Sequence, residues 1–248
     1  MTQESSPNLC RPRAVDTGRG MAWLTEGFDY FQKDALAWLG ATILLFVITL
    51  ALASLPLLGA LAGQILMPVF IGGMMLGCRV RAQGGAFQVA HLFAGFGQYT
   101  GQLMILGLLY MAGIIAIAIL IVILMVVAGV GDTAFLAELE AGDIAALGNN
   151  LKFLLLVALI GAALYAPLLM AYWFAPALVI LRNAGAIDAM KLSFTGSLMN
   201  IMPFLLYGII GLVLCVVAII PMGLGLLVLF PVVTASIYVA CQDIYTEK

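Results

Sequence analysis

Residues 35–78 read ALAWLGATILLFVITLALASLPLLGALAGQILMPVFIGGMMLGC, and no side chain among them is charged. An α-helix rises about 1.5 Å per residue and a bilayer core is about 30 Å thick, so one crossing takes about 20 apolar residues and this stretch holds two. The turn between them falls at Ser54-Leu55-Pro56-Leu57-Leu58-Gly59, where proline and glycine punctuate an otherwise continuous apolar run. A second uncharged stretch, residues 192–242, repeats the pattern around Pro221-Met222-Gly223-Leu224-Gly225. Working outward from these two, crossings are expected near 36–55, 59–78, 103–129, 151–181, 203–220 and 222–240. The fold class that follows is all-α, a polytopic transmembrane helical bundle of six crossings with short interfacial amphipathic helices. It forms one domain over 21–246, behind a disordered cytoplasmic tail at 1–20.

Composition agrees. Hydrophobic residues make up 65% of the chain and charged ones 9%, and the mean hydropathy of +1.18 lies far outside the soluble range. A net charge of −2 gives no electrostatic case for nucleic acid as a partner. The polar tail has no apolar run and does not read as a cleavable signal peptide. Cys10, Cys78, Cys215 and Cys241 are scattered and the chain has one histidine, His91, so no zinc, iron–sulfur or dithiol motif forms. No cofactor and no metal site is expected.

Charge then sets direction. Arg11, Arg13, Arg19 and Lys33 precede the first crossing, Arg79 and Arg81 follow the second, Arg182 and Lys191 follow the fourth, and Lys248 follows the sixth. With six crossings all nine share one side, which basic residues mark as cytoplasmic; only Lys152 lies opposite. The expectation is a membrane protein with both termini cytoplasmic and an acidic outer loop at 131–150.

Three segments read as helices lying along the membrane surface. In 22–35, Leu24, Gly27, Phe28, Phe31 and Ala35 form an apolar stripe opposite Glu26, Asp29 and Lys33, with Trp23 and Trp38 expected as headgroup-level anchors. The stretches 86–98 and 186–199 are too short to cross. A shift of 101 residues pairs Arg81 with Arg182, Gly84 with Gly185, Phe93 with Phe194, Gly95 with Gly196 and Gly107 with Gly208. It lays the second crossing on the fourth and the third on the fifth in the same orientation, as a parallel internal repeat would.

Chemistry is sparse. Apart from Lys152 at the outer end of the fourth, no ionisable carboxylate or cation falls within an expected crossing, although intramembrane proton relays and ion-coupled carriers depend on such groups. No nucleophile–base pair is visible either, so the chain does not read as an enzyme. The fourth crossing is the unusual one. It carries Tyr165, Pro167, Tyr172, Trp173 and Pro176 and ends at Arg182. Prolines free backbone carbonyls that must find partners inside protein. Tyr165 and Tyr172 share a face, and a guanidinium suits phosphate through two parallel hydrogen bonds. Tyr165, Tyr172, Trp173 and Arg182 are therefore the candidate contacts for a lipid or other apolar ligand, against the alternative of a kinked packing helix. At the start of the fifth crossing, Asn200 is expected to cap free N–H groups ahead of Pro203.

The aromatic surface helix (Trp23-Leu24, Phe28, Phe31), then Trp173-Phe174-Ala175-Pro176-Ala177-Leu178-Val179, Ala189-x-x-x-Ser193-Phe194, Asn200-x-x-Pro203-Phe204 and the closing Tyr238 and Asp243-Ile244-Tyr245 occur in a telling order. Over roughly 20–246 the chain resembles uncharacterised proteobacterial six-helix inner-membrane proteins. It is more distantly similar to the membrane domain of glycerophosphodiester phosphodiesterases. The resemblance implies a fold and a location but no reaction. The reading that follows is a non-enzymatic membrane protein binding membrane lipids, a protein partner or a second copy of itself. The alternative is a transporter or exporter of a neutral or amphipathic small molecule.

Overall fold

The computed structural model describes residues 11–128 and 144–246, and all regular structure among them is helical. The helices are α1 (Arg19–Lys33), α2 (Ala35–Ala53), α3 (Leu58–Ala82), α4 (Thr100–Val127), α5 (Ile144–Trp173), α6 (Ala175–Arg182), α7 (Ala186–Met199), α8 (Ile201–Ile219) and α9 (Leu226–Tyr245). A 3-10 helix, Val89–Phe93, lies between α3 and α4. Six spans are long and apolar enough to cross a membrane: α2, α3, α4, Phe153–Arg182 across α5 and α6, α8 and α9. The polytopic all-α bundle expected from the sequence is the fold found.

Helix ends differ from expectation where local chemistry overrides hydropathy. The fourth crossing was expected from 151, with 144–150 in the outer loop. Helix α5 instead begins at Ile144, so Lys152 falls in its third turn, and the rest of the expected loop, 131–143, lies outside the described residues. The surface helix expected over 86–98 shrinks to five residues of 3-10 helix. Gly73 of α3 and Gly95 explain this, because the segment lies directly on the α3 backbone. A Cβ on Gly73 would sit 2.8 Å from the Leu92 carbonyl oxygen and 2.9 Å from the Gly95 nitrogen.

Helix α1 is packed against the bundle. Its buried stripe is Gly20, Trp23, Leu24, Gly27 and Phe31, while Phe28, expected in the stripe, is exposed. The stripe packs on α9 and, next, on α8. Trp23 and Trp38 are fully buried rather than anchored at headgroup level. Trp23 donates its indole N–H to Asp243 at 2.8 Å, and Trp38 stacks on Phe87 with ring centroids 3.8 Å apart and planes 7° from parallel.

The tail expected over 1–20 is outside the described residues as far as 10, but from Arg13 it is held. The Arg13 backbone N–H donates to Ile244 and its Nε to the Asp243 carbonyl. The Asn200 side chain accepts the Val15 N–H at 2.8 Å and donates to the Arg13 carbonyl at 2.9 Å, pairing with the strap as one strand pairs with another. Asn200 therefore grips the N-terminal strap and makes no side-chain cap on α8, contrary to expectation.

The chain divides into two compact units, residues 1–108 with 170–248, and 109–169. In the first, the core is built from α3, α6 and α9, where small residues let backbones approach. The second consists of the later part of α4 and most of α5. There the Tyr110 and Tyr165 hydroxyls meet at 2.9 Å, and Gly113 faces Leu168.

Candidate functional site

The site begins with a break in the fourth crossing. Pro176 cannot donate within the helix and sits at the start of α6. In an uninterrupted helix the Phe174 N–H would donate to the Met170 carbonyl. Instead Ser193 of α7 stands between them: its Oγ accepts the Phe174 N–H at 3.0 Å and donates to Met170 at 2.7 Å. A side chain inserted into the hydrogen-bond ladder is a known cause of sharp kinks. Both freed backbone groups are satisfied, so the break is a structural joint.

Beyond the joint, α6 is buried and runs to Arg182, where Asn183 closes it in the left-handed conformation (φ 53°). Helix α3 ends beside it. Arg79 Nη2 donates to the Ile180 carbonyl at 2.6 Å, a contact between positions 101 residues apart, the interval of the expected repeat. Helices α4 and α8 also start 101 residues apart. The two halves differ in between, where one has a short 3-10 turn and the other the 14-residue α7.

The ends of α3, α6 and α9 enclose a recess of about 400 Å³, lined by Arg79, Ala82, Gln83, Leu181, Arg182, Tyr238 and Gln242. Arg182 Nη2 donates to Gln242 Oε1 at 3.3 Å and to Thr246 Oγ1 at 3.0 Å. Its Nε is buried and has no acceptor. No carboxylate lines the recess, and neither Arg79 nor Arg182 belongs to an ion pair among the described residues. Three other cations at this end of the bundle are in ion pairs, Arg19 with Asp243 and Glu26, Arg81 with Asp34 and Lys191 with Asp188, whereas Arg11, Arg13 and Lys33 are in none among the described residues. Burial works against the charge on Arg19, and hydrogen bonds to Asp243 and Glu26 more than offset it, so its pKa is raised. Burial pushes Tyr30, whose ring meets Tyr238 at 5.7 Å, up to about 12 and keeps it protonated. The recess thus presents two guanidiniums, amides and a hydroxyl to an anion.

Of the four expected ligand contacts, only Arg182 lines this recess. Tyr172 and Trp173 are half-buried before the joint, where Trp173 meets Tyr207 edge to face at 6.1 Å. Tyr165 belongs to the second unit and bonds to Tyr110. Asp188 pairs with Lys191 and not with Arg182. Arg79, Gln83, Tyr238 and Gln242 were missed. Arg79 carried a signal, as the first cation after a 44-residue uncharged run; the other three are ordinary helix-end residues whose convergence only the fold reveals.

A probable inner membrane protein of Burkholderia thailandensis is 26% identical over 235 residues, covering 90% of this chain and 82% of that one. No family model and no solved structure matches. The expected distant similarity to the membrane domain of glycerophosphodiester phosphodiesterases finds no support in these comparisons.

Proposed function

We propose that this is a multi-pass inner-membrane protein that holds a phosphate-bearing lipid headgroup in the Arg79–Arg182 recess and acts by binding, not by catalysis. The observation that carries the reading is a pair of guanidiniums in one recess with no carboxylate lining it and one buried N–H lacking an acceptor. A lone buried donor costs about 1–3 kcal/mol, and a phosphate oxygen would recover that cost. Guanidinium matches phosphate geometry through paired hydrogen bonds. The similarity to a probable inner membrane protein and the six apolar spans support the location. Basic residues gathered at one end of the bundle support cytoplasmic termini, which would set the recess at the leaflet where anionic lipids attract cations.

Native mass spectrometry of protein released from nanodiscs of equimolar phosphatidylethanolamine and phosphatidylglycerol tests this. Wild type should retain phosphatidylglycerol. Arg182→Gln and Arg79→Gln should each reduce retention about tenfold, because a hydrogen bond to a charged group contributes about 1.5–3 kcal/mol. Lys191→Gln, removing an exposed cation already paired, should change nothing. Equal retention by wild type and the arginine variants, with folding intact by circular dichroism, would refute the proposal.

A further inference from the structure

The recess at the ends of α3, α6 and α9 has a fixed hydrogen-bond direction, and Gln242 sets it. An amide offers an oxygen that accepts and an NH2 that donates, and its partners decide which faces which. A guanidinium can only donate, so the amide atom 3.3 Å from Arg182 Nη2 is Oε1. The Thr246 hydroxyl donates to the same oxygen at 3.1 Å. Nε2 is thereby turned toward Tyr238 and donates to its hydroxyl oxygen at 3.2 Å. Tyr238 already accepts, and its own O–H hydrogen has no acceptor among the described residues. The ring itself is held, buried and against Tyr30 with centroids 5.7 Å apart.

Each helix therefore brings donors to the recess. Helix α9 brings the Tyr238 O–H. Helix α6 brings Arg182, whose Nε is buried without an acceptor. Helix α3 brings Arg79, whose Nη2 is taken by the Ile180 carbonyl at 2.6 Å and whose other N–H groups are in no hydrogen bond among the described residues. The acceptor oxygen of Gln242 is occupied twice, and Gln83 stands at the exposed rim. These donors sit where three apolar spans end, which in a bilayer is the depth of a headgroup phosphate and not of an acyl chain.

A phosphomonoester presents three strong acceptor oxygens and a charge of about −1.5 to −2 near neutral pH. A phosphodiester has one of those oxygens esterified and is left with a single charge. Two guanidiniums and a phenol hydroxyl supply two positive charges and three directions of donation, which match the monoester in both respects. We infer that the lipid held in this recess ends in a phosphomonoester, with Tyr238 donating to the phosphate oxygen that a phosphodiester lacks and so selecting between them. This rests on the reading of the recess as a headgroup site and narrows its class. Phosphatidic acid is the simplest lipid of that class.

The test places full-length protein in nanodiscs of equimolar phosphatidic acid, phosphatidylglycerol and phosphatidylethanolamine and reads retained lipid by native mass spectrometry. Wild type should retain phosphatidic acid over phosphatidylglycerol about tenfold, the effect of one more hydrogen bond to a charged group. Tyr238→Phe keeps the ring and removes the donor, and should cut that ratio several-fold. Tyr30→Phe removes a hydroxyl from the same ring pair but not from the recess wall, and should leave the ratio as in wild type. Equilibrating wild type at about pH 5, where the monoester holds a second proton, should shrink the ratio without any substitution. Neither histidine nor carboxylate lines the recess to titrate in its place. Excess glycerol phosphate should not displace the lipid, because the bilayer keeps the lipid beside the recess at high effective concentration. The inference falls if Tyr238→Phe or mild acid leaves the ratio unchanged, if Tyr30→Phe lowers it as much, or if the soluble ester displaces the lipid. Equal retention of the two anionic lipids by wild type overturns this inference alone, whereas retention of neither overturns the headgroup reading with it.

Discussion

Helices α3 and α4 are both long and apolar enough to cross a membrane, yet their hydropathy and burial run in opposite order. The most apolar window of α4 has a mean hydropathy of 3.0 and is 6% buried, whereas that of α3 has 1.7 and is 50% buried. Helix α9 repeats the α3 pattern, with 1.7 and 56%. In water this ordering would be perverse. In lipid it is expected, because hydrocarbon solvates Ile and Leu as well as a protein interior does, and association falls to small residues and polar contacts. Helix α3 has Gly59, Gly63, Gly72, Gly73 and Gly77, while the exposed run of α4 is Ile, Leu and Val with alanines. Hydropathy therefore locates both crossings, and small residues say which of them carries the fold.

The sharpest way to break this contrast is to substitute one residue in each helix. Gly73→Leu puts atoms where the backbone of residues 91–95 already lies, and backbone cannot swing aside. It should destabilise the protein by about 3 kcal/mol or more, the upper end of overpacking costs. Ile119→Leu on exposed α4 should change stability by less than about 0.5 kcal/mol. Denaturant titration in mixed micelles reads both, and similar values for the two would dissolve the distinction.

A smaller effect sharpens the same contrast at the joint. Ser193→Ala leaves the Phe174 N–H and the Met170 carbonyl without their shared partner, although Ser197 stands 3.4 Å from that carbonyl. A loss of about 1–3 kcal/mol is expected, together with faster amide exchange at Phe174. Unchanged exchange there would mean that the break does not depend on the hydroxyl.

The smallest effect is a pH response confined to the turn over α3. His91 Nδ1 accepts the Gln88 backbone N–H at 2.9 Å, and burial holds the imidazole below its ordinary pKa. A folded pKa below the unfolded one favours the neutral ring. Its contribution is complete above the unfolded value near 6.5 and is lost as pH falls through the folded one. The unfolding midpoint should decline slightly on acidification below about pH 6.5, and His91→Gln should flatten that decline. An identical decline in the variant would assign it to other groups.

Four of the six crossings were legible because uncharged runs of 44 and 51 residues leave no alternative and turn residues divide each run, and the other two because long apolar stretches lie between them. The position of α1 was only half legible. Its stripe gave the helix, but Gly20 and Gly27 acquire meaning only against Pro203 and Val232, far along the chain. Trp23 and Trp38 misled for a related reason: an aromatic beside an apolar run reads as an anchor until Asp243 and Phe87 arrive to cover it. The recess was legible at Arg182 and hidden at Arg79, Tyr238 and Gln242, because three helix ends must converge before those residues share a space. The prolines of the fourth crossing suggested a ligand cleft, and the hydroxyl of Ser193 accounts for the break near Pro176.

The strap at Arg13–Val15 and the stripe of α1 take their partners from Asn200, Pro203, Val232, Asp243 and Ile244, all in the final fifth of the chain. Synthesis delivers the strap first and its partners last. While the ribosome is still making α2 to α7, the indole of Trp23 has no carboxylate and Gly20 and Gly27 have no helix to rest on. Assembly is therefore completed by the last segment closing on the first, and a chain truncated before residue 243 lacks the carboxylate that receives Arg19 and Trp23.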